Sequence, residues 1–231
     1  MSPKILSVFG ANGSGKSLIS LLLAENLSNQ KKNICIVSFD KLTPMLNVYL
    51  PFMKLDTNNS IAKILTDDIT YDNLKKRIHS STTNKYISFL ALATFDNALK
   101  YPEDFKDYKM SELVNLLSKF EIDYFIFDLP SNLYNDSLIM YILKSSDKVI
   151  YTLNPTTTSV SFLDSNQLYD IDEDKITFVL NNCYKYSPTD TFMKERKINH
   201  VVMHQRELYE SFLQGDFSKV NQYFSFIDEV V

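Results

Sequence analysis

The sequence predicts an α/β fold: a doubly wound, mostly parallel sheet of about seven strands flanked by helices, in a single domain over residues 1–231. Three observations predict it. Short apolar runs of strand length recur from end to end, they are uninterrupted rather than alternating, and helix-like segments separate them. An uninterrupted run marks a strand buried on both faces, the condition inside a parallel sheet covered by helices. Strand alternating with helix along the whole chain is the pattern of right-handed βαβ crossovers.

The first strand is KILSVF at 4–9, which runs into a glycine-rich loop. The helix expected over 17–27 is apolar nearly all round and should be buried. NICIVSF at 33–39 is the second strand. The segment 58–84 reads as two short helices at the sheet edge, over 60–65 and 71–78. KYISFLALA (85–93) and DYFIFDL (123–129) are strands with a helix expected between them over 111–120. KVIYTL (148–153) and KITFVL (175–180) follow helices expected over 137–143 and 160–168. Two further helices, over 203–213 and 220–231, are expected to finish the chain. There are no repeats, low-complexity tracts or linkers.

At 231 residues, 45% hydrophobic and 23% charged, the chain can bury a sizeable core and is too apolar to be disordered. A formal net charge of −4 argues against a polyanion as the main partner. Cys35 and Cys183 lie in or beside apolar runs, so they are expected as buried free thiols, which suits a reducing cytoplasm. MSPKILSVFG is too short for a signal peptide, and no apolar run approaches the roughly 20 residues that span a bilayer. A cytoplasmic location is therefore expected. His79, His200 and His204 are scattered and have no metal-ligand spacing.

The most specific signal is GANGSGKS at 10–17. Gly10, Gly15, Lys16 and Ser17 satisfy G-x-x-x-x-G-K-[ST] between an expected strand and an expected helix, the context the motif requires. The chain has only four glycines, and three of them, Gly10, Gly13 and Gly15, fall within this loop, so a chance match is remote. Glycines let consecutive N–H groups turn inward at a phosphate, and the helix N-terminus adds partial positive charge. Nucleotide-binding residues are therefore expected over Gly10, Ala11, Asn12, Gly13, Ser14, Gly15, Lys16, Ser17 and Leu18. Lys16 would bridge β- and γ-phosphates, and the Ser17 hydroxyl would coordinate Mg²⁺. Two acidic residues are placed to join them. Asp128 ends the run DYFIFD at the carboxyl edge of the sheet, where open α/β folds bind ligands, and would hold a Mg²⁺-bound water. Asp40 lies just past the second strand.

In order and spacing these features resemble the MinD/ParA group of P-loop ATPases (SIMIBI class, deviant Walker A). The resemblance covers most of the chain: the loop, Asp40, NNSIAKIL (58–65), IDYFIFDLP (122–130), SSDKVIYTLNPTTTSVSFLDS (145–165), FVLNN (178–182) and LQGD (213–216). It implies a cytoplasmic ATPase that binds ATP with Mg²⁺, forms a homodimer over two nucleotides, and positions or regulates a protein partner in an envelope, pilus, secretion, conjugation or flagellar assembly. It also implies that Lys16, Asp40 and Asp128 are catalytic, with Asp40 positioning the attacking water. Ser17, Asp40 and Asp128 would hold the metal, partly through water. Asn181 would contact the adenine edge, with Asn182 the alternative one register step away.

The chain departs from that pattern in two places. Members usually read K-G-G-x-G-K-[ST], and the first lysine reaches the partner's phosphate, whereas here Ala11 occupies its place, as in some CpaE/TadZ-type pilus-assembly relatives. Ser38 stands where many members have the first of two aspartates. ATP hydrolysis is thus left open beside a non-hydrolysing scaffold. A DNA-partition role is a further alternative, resting on Lys185, Lys194, Arg196 and Lys197 and on the run Lys75, Lys76 and Arg77. The terminal stripe Val220, Tyr223, Phe224, Ile227 and Val231 carries Asp228 and Glu229 on its polar face, the wrong sign for an anionic bilayer, so any membrane recruitment would be indirect.

Overall fold

β1 (Lys4–Gly10) is the axis of the molecule. Its residues divide between two cores: Leu6 and Val8 pack on one face of the sheet, Phe9 on the other, all of them buried. The computed structural model describes residues 2–50, 53–56, 58–62, 69–100, 107–131, 137–166, 168 and 170–214. The elements are β1, α1 (Lys16–Asn29), β2 (Ile34–Ser38), α2 (Leu46–Tyr49), α3 (Tyr71–Lys75), β3 (His79–Ser80), β4 (Ile87–Ala91) and α4 (Asp107–Leu117). Then come β5 (Tyr124–Asp128), α5 (Ser137–Ser145), β6 (Lys148–Leu153), α6 (Thr157–Ser165), β7 (Ile176–Cys183), α7 (Thr189–Arg196), β8 (His200–Met203) and α8 (Arg206–Gln214).

The strands form one sheet of eight in the order β3-β4-β2-β5-β1-β6-β7-β8. All neighbours are parallel except β3, which runs antiparallel to β4. The chain moves outward from β1 through β2 and β4, returns as β5 between β2 and β1, and continues on the other side as β6. Such a reversal opens a crevice at the carboxyl ends of the strands. Register puts the site residues at that edge: Asp128 lies level with Val8 and with Ser38, and Gly10 level with Thr152.

α1 supplies one core with Ile19, Leu22, Leu23 and Leu27 against Ile34, Ile36 and Ile126. On the other face Phe9 meets Tyr151 edge to face at 5.4 Å, and Phe127 and Phe39 extend the cluster. Each such side chain contributes about 1.5–3 kcal/mol of burial. Both cysteines are buried free thiols, as expected, and burial pushes their pKa values up to about 12 at Cys35 and about 11 at Cys183. Among the described residues no helix is long and apolar enough to cross a membrane.

The structure corrects several boundaries. The sheet has eight strands rather than about seven, because β3 and β8 are too short to register as apolar runs. Where one helix was expected over 203–213, residues 200–203 pair with β7 and the helix begins at Arg206. α6 starts at Thr157 rather than 160, since the Thr156 hydroxyl accepts from the Ser159 amide and caps it there. α3 stops at Lys75 rather than 78, leaving room for the turn into β3. α4 covers 107–117 rather than 111–120, and the one-turn α2 was not anticipated. Residues 63–65 of the helix expected over 60–65, the helix expected over 220–231 and the end of the LQGD motif lie outside the described residues.

Leu23 is fully buried in α1. Leu23→Ala should lower unfolding free energy by about 2–5 kcal/mol, the usual cost of lost transfer energy plus a cavity, measured as a reduced urea midpoint at unchanged slope.

Candidate nucleotide site

The loop after β1 is held at the sheet edge by two strands. The Ala11 amide donates to the Thr152 carbonyl at 3.2 Å, and the Ser14 and Thr152 hydroxyls lie 2.7 Å apart. From β7, the Asn181 amide nitrogen donates to the Ser14 carbonyl at 2.9 Å. These contacts explain two glycines. A Cβ on Gly10 would lie 2.0 Å from the Thr152 carbonyl oxygen. One on Gly15 would lie 2.2 Å from the Asn181 amide, at a φ of +85° that side chains rarely adopt. Gly15 is also the residue before α1, whose N-terminus has no side-chain cap and no acidic residue in its first turn. Its free amides and partial positive charge therefore face the loop, ready for an anion.

Lys16 opens that helix, yet its side chain turns back into the loop. Its Nζ donates to the Ser131 hydroxyl at 2.6 Å and to the Ala11 carbonyl at 3.3 Å. Burial lowers its pKa, although Asp128 and Asp40 pull the other way. The Ser17 hydroxyl donates to Asp128 Oδ2 at 2.6 Å, and the Tyr49 hydroxyl, on α2, donates to the same oxygen at 2.9 Å. Burial raises the pKa of Asp128, opposed by those two hydrogen bonds and by the Lys16 charge. Asp40 accepts the Leu42 and Thr43 amides at 2.8 and 3.0 Å and the Thr43 hydroxyl at 2.7 Å, which pins the turn after β2.

Lys16, Ser17, Asp40, Thr43 and Asp128 line a cleft of about 510 Å³, within the size range of small-molecule sites. Of the residues expected to bind nucleotide, Asn12 to Leu18 line it, apart from Ser14, as do Asp40, Asp128 and Asn181. Gly10, Ala11 and Ser14 lie behind it, and Ala11 is 0% exposed. One half of the cleft is polar, around Lys16, Ser17, Asp40 and Asp128. The other is walled by Leu18, Val202 and Leu208, and by Tyr184 stacked on His204 at 4.5 Å. Asn182 sits in this half with φ +58°, its Oδ1 2.6 Å from His204 Nδ1. Asn181, by contrast, is buried and engaged by the loop.

The donor set fits a magnesium nucleotide. A serine hydroxyl and two carboxylates are hard oxygen ligands of the kind Mg²⁺ takes together with waters and phosphate. An uncapped helix end and a lysine at the same point fit the phosphates.

Sequence reasoning assigned no role to Tyr49, Ser131 or Thr152. Ser131 could have been suspected from its place three residues after Asp128, and Thr152 lies within the segment 145–165 that carries the resemblance; Tyr49 falls in no motif. Of the basic run at 75–77, Lys75 and Lys76 are exposed, whereas Arg77 is buried and donates to the Asn73 carbonyl. Lys197 faces Glu173 at 3.6 Å. No group of three or more His, Cys, Asp or Glu capable of holding a metal by themselves occurs among the described residues.

No protein-family model and no curated protein sequence matches the chain. Solved structures do match in fold. A plasmid partition protein of Borrelia burgdorferi B31 bound to AMPPNP superposes with a TM-score of 0.76 at 16% identity, covering 99% of this chain and 96% of that one. A ParA family ATPase of Chlorobium tepidum gives 0.75 at 18% identity, covering 99% and 98%. The septum site-determining protein MinD of Pyrococcus horikoshii, complexed with Mg-ADP, gives 0.71 at 18% identity, covering 93% and 86%. The fold of this chain is that of the MinD/ParA P-loop ATPases.

A raised pKa means that folded protein binds the Asp128 proton more tightly than unfolded protein does. Stability from this group is therefore full at low pH and is lost as pH rises through the folded value. Nucleotide-free Asp128→Asn should accordingly melt higher than wild type at neutral pH, with an advantage that shrinks on acidification, as followed by thermal denaturation across pH.

Proposed function

We propose that the chain binds Mg-ATP in this cleft and uses its nucleotide state as a positioning or regulatory switch for a larger assembly. The observation that carries this reading is the convergence of Lys16 and the hydrogen-bonded pair Ser17 and Asp128 on an uncapped helix N-terminus, with Asp40 in the same cleft. The relatives of like fold support the ligand: one holds AMPPNP and another Mg-ADP.

In this reading Lys16 leaves Ser131 and the Ala11 carbonyl to meet the β- and γ-phosphates. The loop amides and the start of α1 receive the β-phosphate. Ser17, Asp128 and Asp40 would hold Mg²⁺, partly through water, with the Ser17 hydroxyl turning away from Asp128, and the metal would supply neutralisation of the phosphate charge. Asp40 orients the attacking water. The half of the cleft around Asn181, Asn182, Tyr184 and His204 receives the base. Two copies would meet across their nucleotides, and the assembly they serve would be a pilus, secretion, conjugation or flagellar apparatus.

A second reading, a nucleotide-binding scaffold without turnover, is favoured by Ala11. Its buried methyl offers no cation to a second copy, and such a cation in phosphoryl transfer carries orders of magnitude in rate.

Two measurements test these readings, the first their shared nucleotide binding and the second what divides them. Lys16→Ala should weaken Mg-ATP binding by about 100-fold or more in isothermal titration, since it removes a buried charge-assisted contact; equal affinity in both proteins would overturn the proposal. Slow phosphate release by wild type that disappears in Asp40→Asn would support the switch, whereas none from wild type leaves the scaffold. Asparagine is chosen because it can still accept from the Leu42 and Thr43 amides that alanine would abandon.

A further inference from the structure

α2 is a single turn, yet it is fastened at several points. The Leu46 amide donates to the Leu92 carbonyl at 3.0 Å, and Asn47 Oδ1 accepts the Thr94 amide at 2.8 Å and the Thr94 hydroxyl at 3.1 Å. Tyr49 then stacks on Phe89, with ring centroids 4.8 Å apart and planes at 16°. The turn thus rests on the end of β4 and the loop beyond it. From there it carries one phenol across the end of β2 to β5, where the hydroxyl meets Asp128 Oδ2. Six residues before α2, Asp40 enters the same cleft and holds its own turn by three hydrogen bonds.

A buried tyrosine needs a partner for its hydroxyl, and many groups would serve. Here the partner is the carboxylate oxygen that also accepts from Ser17, and both Ser17 and Asp128 belong to the candidate metal site. The consequences are geometric. A carboxylate oxygen held by two hydroxyls has a fixed direction, and when Ser17 turns away to a cation, Tyr49 is the remaining neutral donor that keeps it there. The segment 40–49 therefore touches the metal site at both ends, by Asp40 and by Tyr49.

We propose that Tyr49 is a positioning residue for the divalent cation: its hydroxyl orients Asp128 and makes cation binding depend on where α2 sits. This deepens the Mg-ATP reading and rests on it. The role belongs to the hydroxyl alone, because the ring's packing on Phe89 survives in phenylalanine.

The test is Tyr49→Phe against wild type, with a fluorescent ATP analogue titrated in EDTA and then over a magnesium series. Nucleotide affinity in EDTA should stay within about twofold of wild type, while the magnesium concentration for half-maximal tightening should rise on the order of tenfold, the loss expected for one hydrogen bond to a charged group. The increment in melting temperature on adding magnesium to the nucleotide complex should shrink in parallel. An unchanged magnesium requirement, with or without a uniform drop in melting temperature, would reduce Tyr49 to a packing residue and overturn the inference while leaving the Mg-ATP reading intact. Wild type that binds no nucleotide, or binds it with no response to magnesium, would instead sink the Mg-ATP reading and the inference with it.

Discussion

The close approach of the chain at Gly10 to Thr152 is the constraint on which the site depends. With the Thr152 carbonyl standing where a side chain at residue 10 would go, and accepting the Ala11 amide, the backbone leaves β1 pressed against the end of β6. The loop can then turn only along the sheet edge, where Ser14 is received by the Thr152 hydroxyl and the Asn181 amide. α1 must start directly over the crevice opened by the reversal between β5 and β6. The anion-ready helix end and the carboxylate of Asp128 are brought together by strand register, not by contacts made at the site itself.

What this frame assembles is polar, buried and held in a provisional arrangement. Lys16 is placed where burial disfavours its charge, and Asp128 where burial disfavours its own. Each is satisfied by a neighbour that a phosphate or a cation would replace: Ser131 and the Ala11 carbonyl for the lysine, Ser17 for the aspartate. The Ser38 hydroxyl, in register with Asp128, is buried and has no hydrogen-bond partner among the described residues. Such groups do little for the stability of the empty protein. They make sense as a cluster whose electrostatic demands are met by a ligand of opposite and divided charge, anionic toward the helix and cationic toward Asp128.

Much of this was legible beforehand, for identifiable reasons. β1, β2, β4, β5, β6 and β7 are covered on both faces, so each left an uninterrupted apolar run. β3 and β8 are edge strands of two and four residues, and HVVM, half-exposed at the sheet margin, carries no comparable run. Lys16, Ser17 and Asp128 could be placed together because a loop motif and a strand end each specify a position on the sheet edge. Tyr49 could not, since its partner lies 79 residues away on a strand that it reaches through an unforeseen turn of helix. The resemblance implies a base contact for Asn181; in the structure its amide nitrogen holds the loop, a long-range pairing that spacing does not encode.

Ala11 changes meaning in this light. From the sequence it is a missing lysine, a charge subtracted from a loop otherwise intact. In the structure its side chain is wholly enclosed, its amide is committed to Thr152 and its carbonyl receives Lys16. A side chain of four methylenes and an ammonium would have to leave that enclosure, displacing packed atoms before it could reach a second copy. The alanine is thus matched by the packing around it, and the loop is closed at the point where a lysine would emerge. Residue 11 therefore offers no cation to a second copy.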